Sequence, residues 1–453
     1  MKVSVVRVFF CLAICSVLLL ALSALVEAGK PPPPPPPAGP KVVTFSVRED
    51  YDKGENLDDV ALDFALCNQL EVDEMVVSFG WDDYEPSHDV YDLTWLNSFC
   101  ARANQYGVKL RPYLCYTPAW AGDGNWNSPP TNIQDWYDFC YNLAYGLRNN
   151  TNIVSYEIWN EWNDAFWFNG TFAQYVSLLT NGSTAIRAAK PGMTIISGGL
   201  VWPHFEAIDA ITQGTIETYY EIDPLHCYKE TWPVQDALEG YFDSQYQSWY
   251  VPTINNNGEG EPVWFNEVGY STLDRTEAQQ ANYTARAVGY LLSDPTSLNE
   301  VEHYCCYEIK DLDPNKPAIG DDNNYHLGIT TYTRVPKLAF YTFDMLTDLL
   351  DNKTVTASDD KVTLTKVVGR FGQAYKHLLK ISDGSQVLFV YDKTKTVTCY
   401  ATITGIPANS CTKYNLDGTS QAWTGSNFTP GTNPVVRNIA LTPGNVWIFK
   451  LTP

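Results

Sequence analysis

Basic residues are scarce in this sequence, which has 30 Lys and Arg against 52 Asp and Glu and a formal net charge of −22. A surface this acidic repels nucleic acid and anionic membranes, and we therefore expect neither as a partner. Histidine is scarce too, with 6 residues, and no His-Glu-x-x-His or Cys-x-x-Cys run occurs. The sequence thus predicts no metal site.

Several common enzyme signatures are also missing. No G-x-G-x-x-G or phosphate-loop run follows a predicted strand, which argues against nucleotide binding. No Gly-x-Ser-x-Gly run is present, which argues against a serine hydrolase of the elbow type. After the first residues, no segment is long and apolar enough to cross a bilayer.

The N-terminus has the pattern of a signal peptide over residues 1–28. Lys2 and Arg7 precede the apolar run from Phe9 to Leu20, and Val26-Glu27-Ala28 suits cleavage after Ala28. We therefore predict a secreted, extracellular protein; the alternative is an uncleaved anchor, for which the run is short. The proline run that follows predicts a stiff linker over residues 29–40.

Secretion is compatible with the cysteines and the glycosylation sequons. Cys11 and Cys15 lie in the predicted signal, which leaves an odd number of cysteines. Cys399 and Cys411 flank a short segment and are candidates for a disulfide bond, whereas other pairings cannot be deduced from sequence. Asn-x-Ser/Thr sequons, which predict a glycoprotein, begin at Asn149, Asn169, Asn181, Asn282, Asn352 and Asn427.

A regular alternation of strands and helices fills residues 41–350. Hydrophobic residues make up 45% of the chain and charged residues 18%, so a large packed core is expected. Short β-branched runs alternate with helical stretches eight times, which predicts an α/β fold, a (β/α)₈ TIM barrel. An open doubly wound sheet is the alternative. The predicted strands are Val42–Val47, Met75–Phe79, Val108–Cys115, Ile153–Ile158, Thr194–Ser197, Tyr219–His226, Val263–Phe265 and Val301–Tyr307.

The pattern changes after residue 350. Alternating runs separated by Gly, Pro, Asn and Asp predict strands between residues 362 and 451. We therefore expect a smaller C-terminal antiparallel β-domain, like a β-sandwich, over residues 351–453.

Two Asn-Glu pairs stand where predicted barrel strands end. Asn160-Glu161 follows strand four, and Asn266-Glu267 ends strand seven. Barrel enzymes place their chemistry at this end of the strands, and strands four and seven face each other in an eight-stranded barrel. Glycosidic bonds are broken by two such carboxyl groups, one protonated and one ionised. The pair therefore predicts a β-glycosidase.

The two motifs resemble those of the large clan of retaining (β/α)₈ glycoside hydrolases, clan A. Ile158-Trp159-Asn160-Glu161 and Phe265-Asn266-Glu267-Val268-Gly269 carry this resemblance. Further runs are similar to family 39 β-xylosidases and related endoglycosidases: Gly80-Trp81-Asp82-Asp83-Tyr84-Glu85-Pro86, Tyr116-Thr117-Pro118-Ala119-Trp120 and His226-Cys227-Tyr228.

The resemblance implies roles for individual residues. Glu161 would be the acid/base and Glu267 the nucleophile of a double displacement on an oligo- or polysaccharide, without any cofactor. Asn160 would hold the sugar 2-hydroxyl. The other residues expected to contact the sugar are His226, Tyr228, Trp81, Trp120 and Tyr307. High aromatic content, 14% of the chain, suits sugar stacking.

Two departures from the clan leave alternatives open. The clan often has an arginine near the end of strand two, where this chain has Val77-Ser78-Phe79; Arg48 and Arg111 are candidates to replace it. The clan also often ends strand eight with a tryptophan, where this chain has Tyr304-Cys305-Cys306-Tyr307. Glu308, after strand eight, is a rival nucleophile. A transglycosylase and a non-catalytic glycan-binding protein of the cell wall or matrix are the alternative functions. The sugar and the oligomeric state cannot be read from the sequence.

Overall fold

The computed structural model describes residues 39–232, 238–253, 261–293, 301–316 and 320–453. The predicted signal peptide and nearly all of the predicted linker lie outside these residues. Among the described helices, none has the length and apolar character needed to span a membrane.

Eight parallel strands form a closed barrel, as the sequence predicts. They are β1 Lys41–Arg48, β2 Glu74–Gly80, β3 Lys109–Cys115, β4 Ser155–Ile158, β5 Thr194–Ile196, β6 Asp223–Cys227, β7 Val263–Val268 and β8 Val301–Tyr307. Each strand pairs in parallel with the next, and β8 pairs with β1. Parallel bridges Ile196–Ile222 and Leu200–Leu225 join β5 to β6 and complete the ring.

Helices on the outside of the barrel follow the strands. They are α1 Leu57–Gln69, α2 Trp81–Tyr84, α3 Thr94–Gln105, α4 Ile133–Gly146, α5 Phe172–Ala189, α6 Phe205–Ile211, α7 Leu238–Tyr241, α8 Glu277–Leu292 and α9 Leu338–Leu350. A π-helical stretch, Phe242–Tyr250, continues α7. The sequence predicts a helix over Val234–Ser248 after strand six, and the first residues of that prediction lie outside the described part of the chain.

Capping residues set where the longer helices begin. Thr171 and Gln174 form a capping box at the start of α5, and Thr276 and Gln279 form another at the start of α8. Each box satisfies backbone N–H groups that a helix start leaves without a partner. Both helices therefore begin at a fixed residue behind strands β4 and β7, which carry the paired glutamates.

The C-terminal region forms two antiparallel sheets. Its strands are β9 Lys353–Ala357, β10 Val362–Gly369, β11 Ala374–Ile381, β12 Gln386–Asp392, β13 Val397–Ile403, β14 Ser410–Tyr414, β15 Ser420–Ala422, β16 Phe428–Thr429, β17 Val435–Leu441 and β18 Trp447–Thr452. One sheet has the order β10-β13-β17-β16; the other joins β1 of the barrel through β9. Apolar side chains from both sheets share one core. The fold-class prediction is therefore confirmed, and the short strands β9, β14, β15 and β16 were not predicted.

The cysteines do not form the predicted disulfide bond. Cys399 lies on β13 and Cys411 on β14, in different sheets, and both are buried free thiols. Every other cysteine after the predicted signal is likewise a buried free thiol. The pairing that the sequence spacing suggested is therefore not made in this structure.

One of the predicted glycosylation sites is packed inside the fold. Asn282 is 6% exposed, on α8. Its side chain bonds Asn445 at 3.1 Å and accepts the backbone N–H of Val446 at 2.9 Å. A glycan on Asn282 does not fit these contacts, so the glycoprotein prediction applies to the other sequons.

Candidate active site

Glu161 and Glu267 meet above the barrel, each carried by the strand that the sequence predicts. Glu161 follows β4, and Glu267 is the second-to-last residue of β7. A carboxylate oxygen of each and a ring nitrogen of His226 all lie within 4.8 Å of one another. Retaining glycosidases need carboxyl groups about 5–5.5 Å apart, and inverting ones about 6.5–9.5 Å. The observed spacing fits retention.

The backbone after β4 is held in an uncommon conformation that aims Glu161. Trp159 has φ 70° and Glu161 has φ 48°, in the left-handed region that side chains other than glycine rarely adopt. Asn160, between them, forms a parallel bridge to Gly199. Such residues each cost about 1–3 kcal/mol and persist only where surrounding packing fixes them. The fully buried indole of Trp159 supplies that packing.

His226, on β6, stands between the two carboxyl groups. Its Nδ1 lies 2.8 Å from Glu161 Oε1 and 3.4 Å from Glu267 Oε2. A Cβ on Gly199 would lie 2.1 Å from Nε2 of the ring, so only glycine leaves room for this histidine. Burial lowers the pKa of His226, but Glu267 and Glu161 outweigh burial and raise it above its usual value.

The surroundings of Glu161 favour its protonated form. Burial raises the pKa of Glu161 above its ordinary value, and the negative charge of Glu267 adds to the rise, while the hydrogen bond from His226 opposes it. A carboxyl group that donates a proton needs this kind of setting. The predicted acid role of Glu161 therefore agrees with its environment.

Glu267 is held by an ion pair and by one hydroxyl donor. Arg48 Nη1 lies 2.5 Å from Glu267 Oε2, and the hydroxyl of Tyr228 donates to Oε1. Arg48 ends β1, so the cation that the clan takes from strand two comes here from the neighbouring strand. The other candidate, Arg111, instead pairs with Glu74 near the opposite end of the barrel.

Asn160 links Arg48 to the aromatic side of the cleft. Its Oδ1 accepts Arg48 Nη2 at 3.1 Å, and its Nδ2 lies 3.4 Å from the hydroxyl of Tyr116. The side chain is thereby oriented beside both glutamates, as a residue that holds a sugar hydroxyl must be. Its predicted role stays a prediction.

Tyr228 and Tyr307 lie side by side above β6 and β8. Their rings are 5.8 Å apart in an edge-to-face arrangement. Gly269, which ends the strand-seven motif, permits this approach, because a Cβ there would lie 2.6 Å from both the Tyr228 ring and the carbonyl oxygen of Tyr307. Both tyrosines are thus at the site, beside the nucleophile candidate.

Trp81 does not lie in the cleft, and this prediction needs correction. Its side chain is 0% exposed, stacks on Phe139 at 5.4 Å and donates its indole N–H to Glu85. A core indole without an open face cannot stack on a sugar. Trp120 is partly exposed and bonds the backbone of Glu85, so it lies at the edge of the same cluster.

An aromatic group near strand three is more open than either predicted tryptophan. Tyr116 meets Trp126 at 4.7 Å and Trp167 at 6.1 Å, and Trp126 is 38% exposed. Because Tyr116 also lies beside Asn160, this group lines the cleft next to Glu161. The motifs named from the sequence include Tyr116 but neither Trp126 nor Trp167.

Glu308, the rival nucleophile, lies elsewhere. It is 1% exposed, and burial raises its pKa well above the usual range, with Glu49 adding to the rise and Lys310 opposing it. It does not belong to the group formed by Glu161, His226 and Glu267. Of the two candidates, Glu267 is therefore the one placed opposite Glu161.

The three clustered side chains also offer ligand atoms of the kind that bind metal ions. Glu161, His226 and Glu267 each supply one. Arg48 is in direct contact with Glu267, and a second, divalent cation beside it would be repelled. The arrangement therefore suits proton transfer and nucleophilic attack better than metal binding.

The barrel, its C-terminal β-domain and the paired glutamates have the architecture of glycoside hydrolases. No family model and no curated protein matches the chain by sequence. Solved structures do match it. A family 39 glycoside hydrolase from Bacteroides cellulosilyticus WH2 aligns with a TM-score of 0.65 and 15% identity, over 91% of this chain and 81% of its own.

Two further structures are similar over nearly their whole length. A family 30, subfamily 8 xylanase from Clostridium acetobutylicum has a TM-score of 0.62 and 13% identity, over 92% of this chain and 98% of its own. A monomeric β-xylosidase from Caulobacter crescentus CB15 has a TM-score of 0.59 and 15% identity, over 92% and 98%. The resemblance predicted from the motifs is thus confirmed at the level of the fold.

Proposed function

We propose that this chain is a retaining β-glycosidase that uses Glu161 as acid/base and Glu267 as nucleophile. The observation that carries the proposal is the juxtaposition of the two carboxyl groups on β4 and β7, with oxygens within 4.8 Å and His226 between them. The shared fold with glycoside hydrolases supports it.

The reaction takes two displacements. Glu267 attacks the anomeric carbon while the glycosidic C–O bond breaks, and the leaving oxygen takes the proton of Glu161. Water then attacks the same carbon, gives a proton to Glu161 and releases Glu267 from the ester. When His226 Nδ1 carries a proton, it donates to Oε1 of Glu161, 2.8 Å away, and the transferred proton then sits on Oε2.

Arg48 and Tyr228 hold the nucleophile in place. Arg48 forms an ion pair with the Glu267 carboxylate, and the hydroxyl of Tyr228 donates a hydrogen bond to it. The missing strand-two arginine motivated the non-catalytic alternative. Because Arg48 supports the nucleophile from β1, that motive is removed.

Two substitutions test the assignment: Glu161→Ala and Glu267→Ala, assayed on aryl β-glycosides with added azide. Without Glu161, azide should take the place of water and yield a β-glycosyl azide. Without Glu267, azide should attack from the vacated face and yield an α-glycosyl azide. Two of the structural neighbours are a xylanase and a β-xylosidase, so aryl β-xylosides come first in the panel.

Glu308→Gln is the matched control, since Glu308 is another buried carboxyl group beyond a barrel strand. We expect Glu308→Gln to keep the wild-type reaction. Both alanine variants should be inactive when water is the only nucleophile. Wild-type rates in both alanine variants would refute the proposal. Transfer to an added sugar in preference to water would identify a transglycosylase, and binding without turnover over a broad glycan panel would identify a non-catalytic protein.

We also propose secretion, on the N-terminal pattern of residues 1–28 alone. Expression of the full chain in a secreting host tests it. The N-terminus of the protein in the medium should begin at Gly29, and retention of the intact chain in the cell would contradict the proposal.

A further inference from the structure

A third carboxylate opens into the cleft beside the paired glutamates. Alternate residues of β1 face the inside of the barrel, as the period of a strand requires. Thr44 and Ser46 both bond His303 at 2.7 Å, and Arg48 reaches Glu267. The next residue on this face is Asp50, at the open end of the barrel.

Three strands converge on Asp50. The hydroxyl of Tyr113, on β3, donates to Asp50 Oδ1 at 2.7 Å, and the guanidinium of Arg48 lies 4.1 Å above the Tyr113 ring. Burial raises the pKa of Tyr307, on β8, and Asp50 is close enough to add to the rise after Glu308. Asp50 therefore shares its surroundings with the residues that hold the nucleophile.

Asp50 differs from these neighbours in being exposed. Arg48, Tyr113 and Tyr307 are buried or nearly so, whereas Asp50 is open to solvent. Among the described residues it forms no salt bridge, and Tyr113 is its one side-chain donor. An ionised carboxylate accepts about four hydrogen bonds, so most of its capacity faces the cleft.

We infer that Asp50 selects the sugar in the reactive subsite: it accepts hydrogen bonds from hydroxyl groups of a neutral pyranose and excludes uronic acids. The inference rests on the proposed function. A carboxylate with free acceptor positions pairs well with neighbouring hydroxyls, and it repels the carboxylate of a uronate. Tyr113 orients it for both purposes.

Asp50→Asn tests the inference, with Asp52→Asn as the matched control. Both changes remove one negative charge from an exposed position of the same loop. On the best neutral aryl β-glycoside, kcat/KM of Asp50→Asn should fall about 10- to 100-fold, as expected for one charge-assisted hydrogen bond. Asp52→Asn should match the wild type, and both should unfold at the wild-type temperature.

The uronide arm compares aryl β-glucoside with aryl β-glucuronide, which differ only at C6. The wild type should hydrolyse the glucuronide no faster than a background rate. In Asp50→Asn, the kcat/KM on the glucuronide, divided by the kcat/KM on the best substrate, should rise. Tyr113→Phe, which keeps the carboxylate and removes its donor, should lose less kcat/KM than Asp50→Asn.

The outcomes separate the two proposals. Two results would overturn the role of Asp50 and leave the proposed glycosidase intact. In the first, the wild type hydrolyses a glycoside and Asp50→Asn does so with the same kcat/KM. In the second, the wild type prefers the glucuronide. No hydrolysis of any glycoside by the wild type would overturn both.

Discussion

Two arginine–glutamate pairs lie inside the same barrel, one at each end, and they are bonded differently. Near the amino ends of the strands, Arg111 donates through Nε and Nη2 to both oxygens of Glu74, at 2.7 and 2.8 Å, and through Nη1 to Ser155. At the carboxyl ends, Arg48 contacts Glu267 through Nη1 and Asn160 through Nη2. Its Nε meets no acceptor among the described residues.

The difference is consistent with a structural role for Arg111 and Glu74 and with the role proposed for Arg48 and Glu267. A buried ion pair is better stabilised when its groups are also hydrogen-bonded, and Arg111 bonds both carboxylate oxygens of Glu74. The pair of Arg48 with Glu267 leaves donors in poor geometry beside an open cleft. A guanidinium with unused donors beside the cleft can bond a substrate. The unused donors lower the stability of the protein, and contacts elsewhere in the fold offset that loss.

Arg48→Met should break the upper pair and give the largest effect. Glu267 loses the arginine with which it forms an ion pair, so the charge that changes at this carboxylate in the proposed reaction is less stabilised. We expect kcat to fall by about 10³-fold, or about 4 kcal/mol. Steady-state kinetics on an aryl β-glycoside measures this.

Thermal unfolding of the same variant provides the contrast. The midpoint temperature of unfolding should fall less than it does when the pair of Arg111 with Glu74 is broken, because Tyr228 still donates to Glu267. A variant that retains its wild-type kcat but unfolds far earlier would show Arg48 to be a structural residue.

Arg111→Met should reverse the pattern. Glu74, 8% exposed, would be left as a buried carboxylate without its partner, which costs about 3 kcal/mol. Denaturant unfolding should show this loss, while kcat of the folded fraction stays near wild type.

The double variant Glu74→Leu with Arg111→Met is the control. Replacing both charges by apolar groups should recover most of the lost stability. If Arg111→Met lost as much kcat as Arg48→Met, the pairs at the two ends of the barrel would not differ in role.

The sequence contained enough to choose between the two arginines. Barrel chemistry lies at the carboxyl ends of strands. Arg48 follows the predicted strand Val42–Val47 directly, whereas Arg111 falls in the first half of Val108–Cys115. The same alternation along β1 also points to Asp50. Element order and both glutamates were predictable because they depend on local periodicity and short motifs.

The rest depended on packing that is not local. Whether a strand-end tryptophan is a stacking platform or a core residue depends on neighbours from other helices, which is why Trp81 was misplaced. The left-handed backbone at Trp159 and Glu161 has no local signal, since neither residue is a glycine. The separation of Cys399 from Cys411 follows from sheet topology, which turn residues alone do not determine.

Asp223 differs from both arginine–glutamate pairs. It is a carboxyl group near the amino ends of the strands, and no Lys or Arg partner is found for it in the described chain. It begins β6 and is 2% exposed. Burial raises its pKa to about 8, with Glu261 adding to the rise. At neutral pH it is therefore mostly protonated, so the amino end avoids unpaired charge here by neutralising it.

This shift makes stability depend on pH. The folded pKa of about 8 exceeds the ordinary value of 3.8, so the contribution of Asp223 is complete below pH 3.8 and is lost as pH rises to about 8. Asp223→Asn should flatten the fall in unfolding free energy between pH 5 and pH 8 by up to about 4 kcal/mol, since each pH unit contributes about 1.4 kcal/mol. The fall should remain in part, because burial also raises the pKa of Glu49 to about 8 and that of Glu157 to about 7. The exposed Asp274 provides the control: if Asp274→Asn flattens the profile as much, general charge repulsion and not Asp223 causes the dependence.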